Sequence, residues 1–307
     1  MYQQVLKILN NRQIYTAKQL VAKLSISTNK LKEITDDLVS YGIKLDNPTN
    51  DTYQLVETID LLDIRKIRTK LTNKSVNLEI FDVVDSTNEH ILAQTSITEK
   101  PLIYIAEYQT AGRGRQGNKW VSPYASGLCL SIKYSYTDLN ILNGLSIALA
   151  VTIAKMLYDL GIYEIGLKWP NDLLWRQRKL AGLLLESRCE KKCEFVVGIG
   201  INVKMSLVND ISQPWIDLVS ISEQTITRNT LAANLIDSCL STLLNYPNTG
   251  LNPFLDDWKR FDLSYGKSIT LYNSNNGTIK GIATGINEYG ALLINNKSYT
   301  CGSLIFN

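Results

Sequence analysis

The chain carries the segment Gly112-Arg113-Gly114-Arg115-Gln116-Gly117-Asn118-Lys119-Trp120. Its glycines permit a close approach of the backbone to a ligand, and its arginines can grip a carboxylate or a phosphate. The spacing Gly-x-Gly-x-x-Gly also matches the dinucleotide-binding fingerprint, which requires its third glycine to open a helix. Here Gly117 leads into Asn118-Lys119-Trp120-Val121-Ser122-Pro123, which does not predict a helix start. We therefore expect an anion-binding loop rather than a Rossmann turn.

A second group of motif residues lies downstream of this loop. Lys168-Trp169-Pro170-Asn171-Asp172 falls between two predicted strands, Ile165 to Lys168 and Leu173 to Trp175, so its side chains can lie at the end of a sheet. Arg178-Lys179-Leu180-Ala181-Gly182 opens the next apolar strand. Asp172 can hold a magnesium ion or take a proton from an attacking amine, and the sequence leaves both roles open.

These charges suit the activation of a carboxylic acid by ATP. That reaction brings two anions together, so the site must supply positive charge where they meet. Arg113, Arg115 and Lys179 are suitable cations, and a loop that closes over the ligand would exclude water. The structural alternatives are a surface loop with solvated arginines and, at Asn171 and Asp172, a tight turn whose side chains bond local amides.

Two further segments combine small and polar residues. Asp85-Ser86-Thr87-Asn88 can cap a helix that starts near Asn88, or its hydroxyls and amide can bind a urea-like group. Gly198 and Gly200 interrupt a predicted strand, and glycine weakens a strand unless something must approach its backbone closely. A flat ring or an acyl chain would meet that need. The single histidine, His90, is interpreted as structural.

The composition limits the class of protein. The 307 residues, 45% of them hydrophobic, are enough for two or three domains with buried cores, and a net charge of +3 does not by itself indicate a partner. Five scattered cysteines and one histidine supply a zinc site poorly, so we expect reduced thiols. No charged-then-apolar leader is seen, and no apolar run approaches the roughly 18 residues that span a bilayer. We expect a soluble, cytoplasmic protein with no membrane segment.

Residues 1–60 predict a compact helical unit that ends in a small hairpin. Thr16-Ala17-Lys18-Gln19 fits a capping box, and a third helix places Leu31, Ile34 and Leu38 on its inner face. Helix, helix–turn–helix and hairpin is the order of a winged helix-turn-helix.

The rest of the chain predicts an α+β protein. Residues 61–75 carry a linking helix. Residues 76–260 form a mixed domain with a long buried helix from Ile141 to Leu160 and another, capped by Thr230, from Thr230 to Leu244. Residues 261–307 alternate short strands with Asn/Gly turns, a spacing that predicts a small β-barrel.

Together the glycine–arginine loop, the two downstream runs and the Asp85 to Asn88 segment resemble the biotin–protein ligases, and the domain order resembles their bifunctional class. That class implies a winged helix-turn-helix DNA-binding domain, a central biotin/lipoate-ligase-type mixed sheet with helices, and a C-terminal SH3-like β-barrel. It also implies that biotin and ATP, with Mg²⁺, give biotinyl-5′-AMP, which a lysine of biotin carboxyl carrier protein then attacks. A homodimer that represses biotin-synthesis genes at operator DNA is a further implication.

The resemblance also implies roles for individual residues. Lys179 would bridge the biotin carboxylate and the α-phosphate, Arg115 would bind the same junction, and Asp172 is the third catalytic candidate and the candidate metal ligand. The residues that match the family's biotin or adenylate contacts, or fall in its site segments, are Ser86, Thr87, Asn88, Gln109, Arg113, Gly114, Arg115, Trp120, Asn171, Lys179, Gly198, Gly200, Asn202 and Trp215.

The third helix of the N-terminal unit is the element that the resemblance assigns to DNA. Its candidate contacts are Thr28, Asn29, Lys30 and Lys32. Residues 1–56 hold seven lysines and arginines against five acids, which leaves only +2, and phosphate neutralisation supplies much of the affinity for DNA. Because a dimer that reads two half-sites doubles this supply, we expect operator binding, with a retained but silent domain as the alternative.

Two other functions remain open at the level of sequence. A lipoate or octanoate ligase shares the catalytic fold, although Arg113-Gly114-Arg115 and the Lys168 to Asp172 run favour biotin. A regulator could bind biotin or its adenylate without transferring it, yet the candidate catalytic residues are all present. A nucleotide-binding kinase is excluded because no Gly-x-x-x-x-Gly-Lys loop occurs.

Overall fold

The architecture was analysed in a computed structural model that describes residues 1–49, 51–94, 100–136, 138–189, 193–205, 211, 213–273 and 277–306. Three sheets follow one another along the chain: a small N-terminal sheet, a seven-stranded central sheet and a five-stranded C-terminal sheet. Within the described ranges, no helix is both long and apolar enough to span a membrane.

The N-terminal unit has the predicted order of elements. Its helices are α1 (Tyr2–Leu9), α2 (Ala17–Leu24) and α3 (Thr28–Ser40), and its strands are β1 (Tyr15–Thr16), β2 (Leu45–Asp46) and β3 (Thr52–Leu55). The strands pair antiparallel in the order β1-β3-β2. The predicted capping box is confirmed, because Thr16 accepts from the amide of Gln19 while the Gln19 side chain accepts from the amide of Thr16.

The central sheet is mixed. Its strands are β4 (Asn77–Val84), β5 (Leu102–Gln109), β6 (Gly127–Tyr136), β7 (Ile165–Lys168), β8 (Asp172–Trp175), β9 (Arg178–Cys189) and β10 (Cys193–Asn202). They lie in the order β4-β5-β6-β10-β9-β8-β7, with β4 parallel to β5 and the other neighbours antiparallel. This order places β4 and β7 at the two edges.

The helices outside the N-terminal unit are α4 (Ile64–Lys70), α5 (Thr87–Leu92), α6 (Leu145–Asp159), α7 (Arg228–Thr249) and α8 (Leu255–Phe261). The predicted start of α6 at Ile141 is wrong. Gly144 has a φ of 75°, which interrupts the helical backbone conformation, so the helix begins at Leu145. The predicted cap at Thr230 is also wrong. The side chain of Thr227 accepts from the Thr230 amide, and α7 begins at Arg228.

The two faces of the central sheet have different roles, because alternate residues of a strand point to opposite sides. On one face Ile105, Leu130 and Ile199 are fully buried in the core that includes α6 and α7. The register places Ser131 opposite Gly198 on the other face, beneath α5. We call this second side the cleft face.

The C-terminal sheet is antiparallel throughout. Its strands are β11 (Ser268–Asn273), β12 (Gly277–Ile286), β13 (Leu292–Ile294), β14 (Lys297–Tyr299) and β15 (Ser303–Phe306), in the order β14-β13-β12-β11-β15. The last strand was not predicted. Ile269, Leu271 and Leu292 belong to the same buried cluster as the core of the central sheet, so the C-terminal sheet packs directly on it.

The buried carboxylate of Glu107 connects the central sheet to α7 and to the N-terminal unit. The guanidinium of Arg228 donates to Glu107 at 2.6 Å, and the two side chains are 2% and 0% exposed. Glu107 also accepts from the backbone amide of Leu62 at 2.7 Å and from the side chain of Gln3 at 3.2 Å. One carboxylate on β5 thus binds α1, the linking segment and α7.

Candidate active site

A cleft of about 1330 Å³ opens on the cleft face of the central sheet. Its walls come from the glycine–arginine loop, the start of α5, strands β6, β9 and β10, and the segment around Trp215. The structure brings all the predicted catalytic and biotin or adenylate residues to this cleft, namely Ser86, Thr87, Asn88, Gln109, Arg113, Gly114, Arg115, Trp120, Asn171, Asp172, Lys179, Gly198, Gly200, Asn202 and Trp215.

The glycine–arginine loop folds back on itself as a short hairpin. The amide of Gly114 donates to the carbonyl of Asn118 at 2.7 Å, and the amide of Trp120 donates to the carbonyl of Gly112 at 2.9 Å. A Cβ on Gly112 would lie 2.5 Å from the Trp120 carbonyl oxygen, so this turn requires glycine. The chain runs from Gly117 into extended backbone and not into a helix, which excludes the Rossmann reading.

Cations gather around one carboxylate at the mouth of β8 and β9. The Lys179 ammonium lies 2.7 Å from Asp172, and Lys168 is directly opposite Asp172 in the β7–β8 register. Arg115 reaches the same corner, where its Nη1 lies 3.4 Å from Asn171 Oδ1 and 3.5 Å from the carbonyl of Gly302. Three cations and one carboxylate give this corner the charge that two bound anions need.

Burial affects two of these cations. It lowers the pKa of the Arg115 guanidinium, and the Asp172 carboxylate opposes that effect. Burial also lowers the pKa of Lys168, and the neighbouring Lys179 acts in the same direction while Asp172 opposes both. A cation that has lost part of its hydration attracts a nearby anion more strongly than a fully solvated lysine does. An anion that enters this corner is therefore bound more tightly.

Asn171 connects the β7–β8 turn to β9. Its side-chain nitrogen donates to the carbonyl of Leu183, and the amide of Leu183 donates back to the carbonyl of Asn171 at 3.0 Å. The side chains of Asn171 and Asp172 therefore contact β9 and Lys179 rather than the local amides that the turn alternative requires.

A cluster of buried polar side chains forms the other end of the cleft. The side-chain carbonyl of Gln109 accepts from the Thr87 amide at 2.8 Å and from the Thr87 hydroxyl at 3.0 Å. Ser131 Oγ lies 2.7 Å from Thr87 Oγ1 and 2.5 Å from Asn88 Oδ1. Ser86 precedes α5 but makes no side-chain capping bond, so the capping alternative does not account for it.

The two glycines of β10 are approached by protein side chains. A Cβ on Gly198 would lie 2.4 Å from Asn88 Oδ1, and a Cβ on Gly200 would lie 2.3 Å from the Trp120 ring. The sequence predicted a close approach at these positions, and the structure identifies Asn88 and Trp120 as the groups that make it. Glycine weakens the pairing of a strand, but at these two positions it leaves the space that the Asn88 and Trp120 side chains occupy against the sheet.

The segment that carries Trp215 is held by the backbone of Lys179. The amide of Lys179 donates to the carbonyl of Pro214 at 2.9 Å, and the amide of Ile216 donates to the carbonyl of Lys179 at 3.0 Å. The Asn202 side chain donates to the carbonyls of Lys179 and Ile216 at 3.2 and 3.0 Å. Asn202 thus fixes the position of the Lys179 backbone and of the Trp215 segment together.

Three residues that line the cleft or contact its lining residues were not among the predicted site residues. Glu186 accepts hydrogen bonds from both Asn88 and Arg113, Ser131 lies under the polar cluster, and Lys168 belongs to the cation group. Alternation along β9 placed Glu186 on the same face as Gly182, which is the signal that could have found it. His90 contacts the rings of Phe81 and Tyr104, as expected of a structural residue.

The predicted DNA contacts lie on an exposed surface and do not line the cleft. Thr28, Asn29, Lys30 and Lys32 are exposed on the first turns of α3. Lys30 forms an ion pair with Glu33 at 2.6 Å. Among the described residues, no group of three His, Cys, Asp or Glu side chains is placed to hold a metal ion.

A carboxylate-activating enzyme with an accessory N-terminal unit is the class of protein that this fold and cleft define. The family model described as the biotin/lipoate A/B protein ligase family matches residues 80–203, which include the cleft from α5 to β10. A bifunctional ligase/repressor BirA from Salmonella typhimurium is 34% identical over 94% of this chain and 91% of its own length. The chain therefore belongs to the biotin protein ligase family.

Two other relatives agree with this assignment. A biotin–[acetyl-CoA-carboxylase] ligase from Mycobacterium tuberculosis is 29% identical over 76% of this chain and 90% of its own length. The structure of the biotin protein ligase from Aquifex aeolicus in complex with biotin and ATP has a TM-score of 0.66 and 26% identity, and the match covers 75% of this chain and 99% of that one.

Proposed function

We propose that the protein activates biotin with ATP to biotinyl-5′-AMP and transfers the biotinyl group to a lysine of biotin carboxyl carrier protein. The observation that carries this proposal is one cleft with the corner where Arg115, Lys168 and Lys179 surround Asp172 at one end and the polar cluster of Thr87 and Asn88 at the other. A ligand with a carboxylate at one end and a cyclic urea at the other spans these two groups. The relatives named for biotin support the same substrate.

In the first half-reaction a carboxylate oxygen of biotin attacks the α-phosphorus of ATP, and the bond to the pyrophosphate oxygen breaks. Lys179 and Arg115 hold the carboxylate and the α-phosphate together at this junction. They reduce the repulsion between the two anions and stabilise the negative charge that develops on phosphorus. Lys168 adds a desolvated positive charge beside them.

In the second half-reaction the amine of the acceptor lysine attacks the acyl carbon, AMP leaves and the amine loses a proton. Asp172 is the carboxylate placed beside this junction, since it lies 2.7 Å from Lys179. We assign it the acceptance of that proton. Mg²⁺ neutralises the phosphates of ATP when it is bound. Since Mg²⁺ commonly uses one or two carboxylates together with substrate phosphates, Asp172 is the residue that would hold it.

The remaining predicted site residues surround the two ends of biotin. Ser86, Thr87, Asn88 and Gln109 would bind the urea ring, with Gly198 and Gly200 leaving room against the sheet. Arg113, Gly114 and Trp120 would cover the bound ligand. Trp215 would contact the adenine, in a position that Asn202 fixes through the Lys179 backbone.

We also propose that the chain represses biotin-synthesis genes. Residues 1–60 would act as a winged helix-turn-helix in which Thr28, Asn29, Lys30 and Lys32 contact operator DNA, and the repressor names of the relatives support this role. Residues 61–75 would link this unit to a catalytic domain, 76–260, and residues 261–307 would act as an SH3-like barrel. A homodimer formed through an edge strand of the central sheet would read two half-sites, and its location would be cytoplasmic.

Acid-dependent ATP–pyrophosphate exchange with the full chain tests the enzymatic proposal. The acids to compare are biotin, lipoate and octanoate. We expect exchange with biotin and none above background with the other two. Exchange with lipoate alone would make the chain a lipoate ligase, and silence with all three acids would leave a regulator without the adenylating step.

A further inference from the structure

Glu186 accepts hydrogen bonds from two residues that line the cleft, Asn88 and Arg113. Its Oε2 accepts from the Asn88 side chain at 2.7 Å, and its Oε1 accepts from Arg113 Nη2, also at 2.7 Å. Asn88 is 4% exposed, whereas the Glu186 side chain is 26% exposed. One carboxylate on β9 therefore connects α5 to the glycine–arginine loop.

The bond to Glu186 determines which way the Asn88 amide points. An ionised carboxylate only accepts hydrogen bonds, so the group of Asn88 that faces Glu186 must be its NH₂. The carbonyl oxygen then points away, toward Ser131 Oγ at 2.5 Å and the surface above Gly198. This oxygen has two lone pairs, and a single hydroxyl can satisfy only one of them.

We propose that Glu186 is a specificity-determining positioning residue, which fixes the Asn88 carbonyl as the acceptor for an N–H group of the ligand ring and holds Arg113 over that ring. The inference rests on the proposed function and deepens it. A cyclic urea presents N–H donors to such an acceptor, whereas the dithiolane ring of lipoate presents none. The site therefore selects a urea through a carboxylate that does not itself touch the ligand.

Glu89 provides a matched comparison within the same cluster. It forms an ion pair with the other terminal nitrogen of the Arg113 guanidinium, whereas the Asn88 side chain donates to Glu186. A change at Glu89 therefore perturbs the hold on Arg113 and leaves the orientation of Asn88 intact.

The test measures the affinity of the full chain for biotin and for two biotin analogues, each methylated on one urea nitrogen. In the wild-type chain, at least one methylation should weaken binding by about tenfold or more, because it removes a donor from a buried acceptor. In Glu186→Gln the Asn88 amide can take either orientation. Biotin should then bind about tenfold more weakly, and its affinity should exceed that of the methylated analogue by less than about threefold.

In Glu89→Gln the ratio of the affinities for biotin and for the analogue should equal that of the wild-type chain. The affinity for biotin should fall less than it does in Glu186→Gln. The effect of Glu186→Gln should fall mainly on the affinity for biotin and less on the KM for ATP, since the defect lies in the recognition of the ring. A general loss of structure would instead lower the exchange rate and change the KM for both substrates.

The proposal is overturned if neither methylated analogue binds the wild-type chain more than twofold worse than biotin, a result that needs no variant. It is also overturned if Glu186→Gln keeps the wild-type ratio. A wild-type chain that binds no biotin would refute the proposed function and this inference together, whereas normal wild-type binding with an unchanged ratio would refute only the role of Glu186.

Discussion

In the cleft, Lys179 and Lys168 face Asp172 in partly or largely buried positions, whereas on α3 the exposed Lys30 is paired with its neighbour Glu33. The cleft side chains are fixed by strands on both sides, and their charges act through a medium of low polarity. Those on α3 lie in water, where an ion pair stabilises little and salt screens it. The chemistry of the cleft should therefore depend on single residues, and DNA binding by α3 on the sum of many weak charges.

The largest effect is expected at Lys179. Lys179→Met should reduce biotin-dependent pyrophosphate exchange by about a hundredfold to a thousandfold, because the cation at the carboxylate–phosphate junction is lost. The thermal midpoint should change little, and thermal denaturation of the same sample is the control. Near-normal exchange in the variant would remove Lys179 from the catalytic step and would weaken the contrast between the two regions.

Arg115→Gly should affect the retention of the product more than its formation. Loss of a charged contact to the adenylate should speed its release by about tenfold to a hundredfold, so that bystander lysines become biotinylated. Labelled adenylate can be followed by gel filtration and by transfer to an unrelated protein. Arg115→Lys is the matched variant, and it should release the adenylate at an intermediate rate because it keeps the charge without the planar fork. Wild-type retention by Arg115→Gly would contradict this role.

A smaller effect of opposite sign is expected on α3. Glu33→Gln should strengthen operator binding by about twofold to fivefold, since it removes an acid next to the DNA and frees Lys30. Fluorescence anisotropy at low and moderate salt would measure it. Glu57→Gln, at an exposed ion pair with Lys204 outside α3, is the matched control and should leave binding unchanged. If both variants behave alike, α3 does not face DNA.

A last prediction concerns the thiols and leaves both catalysis and DNA binding aside. Burial raises the pKa of Cys129, in the wall of the cleft, to about 11, and the positive charge of Arg228 opposes the rise only in part. At pH 8 about one thiol in a thousand is then ionised, so iodoacetamide should modify the half-buried Cys301 well before Cys129. The alkylation rate of Cys129 should rise about tenfold per pH unit up to that pKa. Mass spectrometry after timed quenching measures both rates. Equal labelling of the two thiols at pH 8 would mean that the Cys129 thiol is exposed to water and not buried.

Much of the fold followed from local patterns. Strand β7 has the predicted bounds, and the capping box of α2 was readable from four residues. What sequence could not supply was pairing between distant segments. β15 is held by β11, over thirty residues away in sequence. α7 is capped by Thr227 rather than by Thr230, and that choice between two nearby threonines depends on the tertiary position of the helix.

The site was predictable to the extent that its residues carry recognisable motifs. The motif segments do meet in one cleft, but the partners of Asn88 and Arg113 were not predicted, because a glutamate on a strand ordinarily indicates a solvated face. Gly198 and Gly200 show a second limit of prediction from the sequence. Their small size indicated a close approach, yet only the assembled sheet reveals that Asn88 and Trp120 make it.

The buried pair of Glu107 and Arg228 affects how the molecule comes apart. Separation of α1 from the central sheet would remove the hydrogen bond from Gln3 to Glu107 while the carboxylate stays buried against Arg228, and the loss of such a buried hydrogen bond costs about 1–3 kcal/mol. The N-terminal unit and the central sheet should therefore melt as one cooperative unit rather than in two steps. The secondary structure changes near residue 60, but we do not expect the protein to unfold in separate steps at that boundary.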